Sequence, residues 1–394
     1  MRDEAEVIAA AEERIEKERK SDAVVKVVDG AGRAVSGAKV SVELARHEFL
    51  FGSNIFQFDR LAKDEENARY KELFKGLLNY ATVGFYWKTF EPEKGKPMYD
   101  YTDKVVAWCQ ANGVRMKGHP LLWDTQPGVP TWSEGQPAAA MQKERVQEIV
   151  RRYAGKIEFW EVVNEPGHYP GLVIDEPYRW AREADAKAHL IVNDYFVLFD
   201  GCPEFFALLK RAIKDGVPFD GIGIQAHDPA TERFDMDYVG KVLTQYASLG
   251  KRLHITEYTP VSSGVKMTGS HAKGKWDEAA QAEYAVKFYT TCFAHPGVSA
   301  ITWWGLLDGG AFREGGGMVR KDMTPKPAYH ALKELIHGKW KTRVTGQSDA
   351  AGEFRFRGFR GDYAAKVERG GKTTEERLRV GSGENEIRVT AGNE

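Results

Sequence analysis

Eight short apolar runs, separated by amphipathic stretches, fill the middle of this 394-residue chain. They lie at 47–54, 80–86, 115–123, 157–166, 189–196, 221–227, 252–260 and 300–308. Runs of this length bounded by polar residues read as strands covered on both faces. Between them, 101–111, 141–153, 203–214, 277–293 and 327–336 repeat their apolar residues at helical spacing. Eight such strands alternating with helices predict an α/β fold, a (β/α)8 TIM barrel over 47–340. A doubly wound open sheet competes for the same pattern. It usually opens with a GxGxxG turn, which the chain lacks, and no GxxxxGK[ST] phosphate loop occurs either.

The flanks read differently. Residues 1–22 are highly charged, with Glu13–Lys17 and Glu16–Lys20 four apart, and predict a helix. They hold no apolar run of a secretory leader. The expectation is a cytoplasmic protein, or a secreted or periplasmic one whose leader was removed. Residues 23–46 alternate Val25, Val27, Val40, Val42 and Leu44 around Asp29-Gly30 and predict a strand hairpin. Residues 341–394 alternate likewise through Phe354, Phe356, Tyr363, Val367, Leu378, Val380, Ile387 and Val389. Two strands make no stable sheet alone. So 23–46 and 341–394 are expected to combine into one small β-sandwich around the barrel. All ten Trp fall between Trp87 and Trp340, and a sandwich without Trp is expected to brace rather than bind sugar.

Composition narrows the function. With 56 Lys+Arg against 57 Asp+Glu, the net charge of -1 gives no footprint for nucleic acid and no polybasic patch for a membrane. The three cysteines, Cys109, Cys202 and Cys292, are far apart and form no ligand motif. No HxxH or HExxH pair occurs, so the expected site uses no metal and no cofactor.

In a barrel the site sits where the strands end. Here they end in His119, Trp123, Asp124 and Gln126; in Asn164 and Glu165; in Asn193 and Asp194; in Gln225 and His227; in Glu257; and in Trp304. Aromatic walls with planar polar groups suit a sugar, whose C–H faces pack on Trp while its hydroxyls pair with amides and carboxylates. A lone strand-end Glu is more often an ion-pair partner. Two of them, Glu165 and Glu257, match retaining glycoside hydrolysis, which needs an acid and a nucleophile about 5–5.5 Å apart. His227, beside Gln225, is expected to orient Glu257. His168, His254, His271 and His295 receive no role.

At these residues the chain resembles the family-10 glycoside hydrolases, the β-1,4-xylanase family. The matching stretches are Trp87-Lys-Thr-Phe-Glu91-Pro92, Gly118-His119 through Trp123 and Gln126, Trp160-Glu-Val-Val-Asn164-Glu165, Gly221-Ile-Gly-Ile-Gln225-Ala-His227, Ile255-Thr-Glu257, and Trp304-Gly with Asp308. They come in the family's order over about 47–340. The resemblance implies Glu165 as acid/base, Glu257 as nucleophile, Asn164 on the sugar's 2-hydroxyl and His227 holding Glu257. It further implies that Tyr86, Trp87, His119, Trp123, Asp124, Gln126, Gln225, Trp304 and Phe312 contact substrate.

The chain also departs from the family. Tyr86 stands where the family has Lys, Asp124 where it has His, Thr259 where it has Asp, and Phe312 where it has Trp. The family default is an endo-β-1,4-xylanase. These replacements open two alternatives: a hydrolase of another β-glycoside, exo-acting or cutting a small glycoside or diglycoside, and a barrel that only binds carbohydrate. Carbohydrate is the implied partner, and no oligomeric state is implied.

Overall fold

A computed structural model describes residues 2–227, 231–269 and 272–391, so His271 lies outside the described residues. Eight parallel strands close into a barrel. They are β1 (Leu50–Asn54), β2 (Tyr80–Gly84), β3 (Arg115–His119), β4 (Phe159–Asn164), β5 (His189–Asp194), β6 (Gly221–Ile224), β7 (Arg252–Tyr258) and β8 (Val298–Trp303). Each pairs with the next, and β8 pairs back to β1. All six residues of β4 are buried, as expected of strands with side chains on one face and helices on the other. Leu50, Tyr80, Phe159, Ile191 and Ala300 fill the end of the barrel where the strands begin. The polar residues therefore collect at the other end. A two-residue strand, Leu122–Trp123, pairs alongside the end of β4, with Trp123 opposite Asn164.

Helices cover the barrel's outer face. Ala139–Arg152 turns Val146, Ile149 and Val150 inward at helical spacing. Pro203–Lys214 opens with Pro at its first position, where no backbone N–H is needed. Asp64–Lys75, Asp175–Ala184 and Met236–Ala247 are further helices.

The chain divides into two compact units. One comprises Met1–Glu4, Leu50–Cys292 and Gly297–Leu332, and contains the barrel; the other comprises Ala5–Phe49, Phe293–Pro296 and Lys333–Glu394. The second unit holds two sheets, of three and four strands. Helix Glu4–Glu18 buries Val7, Ala11 and Ile15.

Two sequence expectations are corrected here. Residues 23–46 do not form a hairpin. Strand Lys20–Val28 pairs with Glu353–Phe359 and Glu386–Thr390. Strand Lys39–His47 pairs in the other sheet, with Arg343–Gln347 and Gly361–Arg369. Alternation sets which face of a strand is apolar but not which strand it joins. Ala23, Val25 and Val27 in one sheet and Val40, Val42 and Leu44 in the other are all buried. The run 47–54 is likewise two elements, because His47 ends a sandwich strand and the barrel strand starts at Leu50.

Candidate active site

The polar ends of β3 to β8 converge on two buried carboxylates. Glu165 follows β4 and is 7% exposed; Glu257 lies near the end of β7 and is 4% exposed. Each has two side-chain hydrogen-bond partners. Glu165 accepts from Gln225 Nε2 at 2.6 Å and from Trp123 Nε1 at 2.9 Å. Glu257 accepts from Asn193 Nδ2 at 2.9 Å and meets His227 Nε2 at 2.9 Å.

Local backbone geometry delivers these groups. Gln225 and His227 are two residues apart, yet each serves a different carboxylate. Ala226 between them lies in the left-handed region, with φ 58°, as does Glu165 itself, with φ 56°. For residues with a Cβ this conformation costs about 1–2 kcal/mol and persists only where the surroundings enforce it. Glycine makes room in β6: a Cβ on Gly223 would lie 2.5 Å from Asn193 Oδ1. Asn193 is thereby free to spread its amide over three partners. It donates to Glu257 and to Asn164 Oδ1, and accepts from Thr256 Oγ1. With its oxygen engaged, Asn164 has its amide N–H groups left to offer a ligand.

Behind Glu257 lies a buried ionic cluster that sequence reasoning missed. Lys117 Nζ donates to Glu161 at 2.6 Å, and His119 Nδ1 contacts the other oxygen of Glu161. His119 Nε2 meets the Tyr86 hydroxyl at 3.0 Å. Burial alone would raise Glu161, but Lys117 and His119 bring its carboxyl below the ordinary value. His119, Glu161 and Glu257 place one ligand atom each within 4.8 Å of one another. The Lys117 ammonium already serves that cluster as a cation.

The two carboxylates differ in their charged neighbours. Burial pushes Glu165 up to about 7, and the remaining charges near it, Glu257 and Asp194, are anions that add to the rise. Burial raises Glu257 to about 7 as well, with Glu161 adding to the rise and His119 and Lys117 opposing it. Both carboxyls are therefore held toward their protonated forms, and it is Glu257 that has an ammonium, Lys117, in its surroundings. His227 is pushed down to about 3 by burial, then by Arg313, and stays neutral.

Aromatic rings wall the cleft. Trp304 stands edge-on to His119 at 5.2 Å and to Phe56 at 5.5 Å, and Tyr86 lies 6.0 Å from Trp123. Phe312 is 62% exposed and covers His227 at 4.5 Å. Asp124 lies against Gly171, where a Cβ would meet its Oδ2 at 1.9 Å. Two residues expected to touch substrate stand outside this set. Trp87 is buried, donating to Glu91 and packing on Trp132 and Arg145. Gln126 is exposed in the turn Gln126–Gly128.

His168, given no role by the sequence, belongs to the loop after Glu165. Its Nδ1 lies 2.6 Å from Asp194 Oδ1, and its ring stacks on Tyr195 at 3.7 Å. Asp194 also accepts from Gly167 N, so one carboxylate fixes the path of that loop. The signal was present in the Asn193-Asp194-Tyr195 end of β5, but not its partner.

Residues 43–335 match the family model described as Glycosyl hydrolase family 10. The chain is 29% identical over 378 residues to the anti-sigma-I factor RsgI6 of Acetivibrio thermocellus, covering 93% of this chain and 47% of that protein. It therefore spans about half the length of that relative. It is 30% identical over 311 residues to endo-1,4-beta-xylanase B of Thermotoga neapolitana, covering 70% of this chain and 85% of that one. Among solved structures, xylanase 10B of Thermotoga petrophila in complex with xylobiose superposes with a TM-score of 0.63 at 27% identity, covering 74% of this chain and 95% of that one. Native xylanase 10B of Thermotoga maritima gives 0.62 at 28% identity, with coverages of 74% and 96%.

Proposed function

The chain belongs to glycosyl hydrolase family 10 and is a glycoside hydrolase, and from that premise we propose that it cleaves β-1,4-linked xylose chains with retention, using Glu165 and Glu257. The observation that carries this reading is a pair of buried carboxylates at one barrel mouth, both raised to about 7, with the anion Asp194 beside Glu165 and the Lys117 ammonium near Glu257. The xylanases among its relatives support the choice of sugar.

In the first step, protonated Glu165 gives its proton to the glycosidic oxygen while ionised Glu257 attacks the anomeric carbon. The C–O bond to the leaving sugar breaks and an ester to Glu257 forms. Asn193 and His227 keep the attacking carboxylate aimed. Glu165, now ionised, then takes a proton from water, which displaces Glu257 and restores the starting configuration. Trp304, Tyr86 and Phe312 offer ring faces and edges to the sugar, and Asn164 offers its amide.

A 2-fluoro xyloside with a good leaving group tests the assignment. It should inactivate the enzyme and add one glycosyl mass to the peptide holding Glu257. Glu257→Ala should abolish turnover of xylan. Label on another residue, or surviving turnover in Glu257→Ala, would overturn the assignment, and xylan left intact by the wild type would overturn the substrate.

A further inference from the structure

Thr259 lies just past β7, with its side chain wholly buried beneath His227. Its hydroxyl is 2.8 Å from His227 Nδ1 and 3.0 Å from the backbone carbonyl oxygen of Glu257, to which it can only donate. On the other side of the ring, Nε2 is 2.9 Å from Glu257 Oε2.

These three distances form a problem of donors and acceptors. A neutral imidazole carries one N–H, and an ionised carboxylate only accepts. To bond an ionised Glu257, His227 must carry its hydrogen on Nε2. Nδ1 is then a bare acceptor in a buried site and needs a donor. The Thr259 hydroxyl has one hydrogen, and rotation about its Cβ–Oγ bond moves it from the Glu257 carbonyl to Nδ1, the nearer of the two acceptors. A carboxylate at this position would only accept, and would draw the single hydrogen to Nδ1. The ring could then serve Glu257 only as a cation. Its surroundings oppose that charge: Phe312 covers one face, Trp304 stands at its edge, and Arg313 adds a positive charge.

We propose that Thr259 is a positioning residue whose hydroxyl donates to His227 Nδ1 and thereby fixes the neutral Nε2–H tautomer that holds Glu257. The structural part stands on these contacts and on an ionised Glu257. Its kinetic consequence rests on the reading of Glu257 as nucleophile.

The test uses the full chain labelled with 15N-histidine. Long-range correlations within the ring separate the two tautomers and the imidazolium, and the His227 signals are those missing from His227→Asn. In the wild type, at pH values where the enzyme works, Nε2 should carry the hydrogen and Nδ1 should be bare. Thr259→Val keeps the shape and removes the hydroxyl. In this variant the Nδ1–H form should appear, and kcat on an aryl β-xyloside should fall about tenfold at unchanged KM, the effect of one buried hydrogen bond. Thr259→Ser should restore both. A wild-type ring that is doubly protonated or carries its hydrogen on Nδ1 overturns the proposal. So does a Val variant with unaltered tautomer and rate. The ring signals do not depend on which carboxylate attacks. Glycosyl labelling away from Glu257 would remove the functional reading and leave the tautomer assignment standing.

Discussion

Glu165 keeps its carboxyl in a place that disfavours its charge. Burial, with Glu257 and Asp194 nearby, raises it from 4.5 to about 7, which suits an acid that must hold a proton near neutrality. The same shift costs stability. The folded state binds this proton more tightly than the unfolded chain does. The stabilising contribution is therefore complete below the unfolded value of 4.5 and is lost as pH rises through about 7. Glu165→Gln removes the titration while keeping the shape, and Gln225 can turn its amide over to meet the new one. Thermal melts of the two proteins should diverge with pH. The Gln variant gains nothing at pH 4.5 and becomes the more stable above pH 7, by up to about 3 kcal/mol. A stability difference that stays flat across this range would show that Glu165 ionises normally in the folded protein.

At the scale of strands, the site depends on how closely β3 and β4 approach. Gly118 in β3 lies opposite Trp160 in β4, and a Cβ there would sit 2.2 Å from the indole ring. Gly118→Ala must push apart the two strands that carry His119, Glu161, Asn164 and Glu165. Overpacking of this kind costs about 1–3 kcal/mol. The expected outcome is a lower melting temperature together with a larger fractional loss of kcat than of substrate affinity. A variant that melts and turns over like the wild type would mean that Trp160 moves aside without disturbing its neighbours. The eight barrel strands were legible in the sequence because both their faces are buried, which leaves continuous apolar runs. The strand-end groups were legible because polar residues interrupt those runs at Asn164-Glu165 and Glu257. Lys117 and Glu161 were not, since a charge inside a strand shows its partner only once the strands are paired. Helix Asp64–Lys75 buries only Tyr70, Leu73 and Phe74 among charged residues, too few to stand out as a period. The hairpin reading of 23–46 failed because adjacency in sequence was taken for adjacency in a sheet.

At the scale of the whole molecule, that failure says how the second unit is built. Its two strands before the barrel, Lys20–Val28 and Lys39–His47, take every ladder partner from the segment after it. Arg343–Gln347, Glu353–Phe359, Gly361–Arg369 and Glu386–Thr390 supply those ladders, and Lys372–Val380 completes the larger sheet. We propose that the two segments fold as one cooperative sandwich. Neither sheet survives without the later segment. Removing 341–394 leaves Lys20–Val28 and Lys39–His47 with open hydrogen-bonding edges, and uncovers Val25, Val27, Val40, Val42 and Leu44, each now at most 3% exposed. Burying an aliphatic side chain is worth about 1.5–3 kcal/mol, and long apolar strands with free edges template association. The shortened chain should therefore elute as aggregates or large oligomers in size exclusion, under conditions where the full chain gives one sharp species. A single substitution inside the sheet gives a milder form of the same experiment. Val42→Asp buries a charge between Arg343–Gln347 and Gly361–Arg369 and should lower the melting temperature of the second unit's transition. A truncated chain that remains a single compact species, with its melt unchanged, would show that the strands before the barrel hold together without their partners.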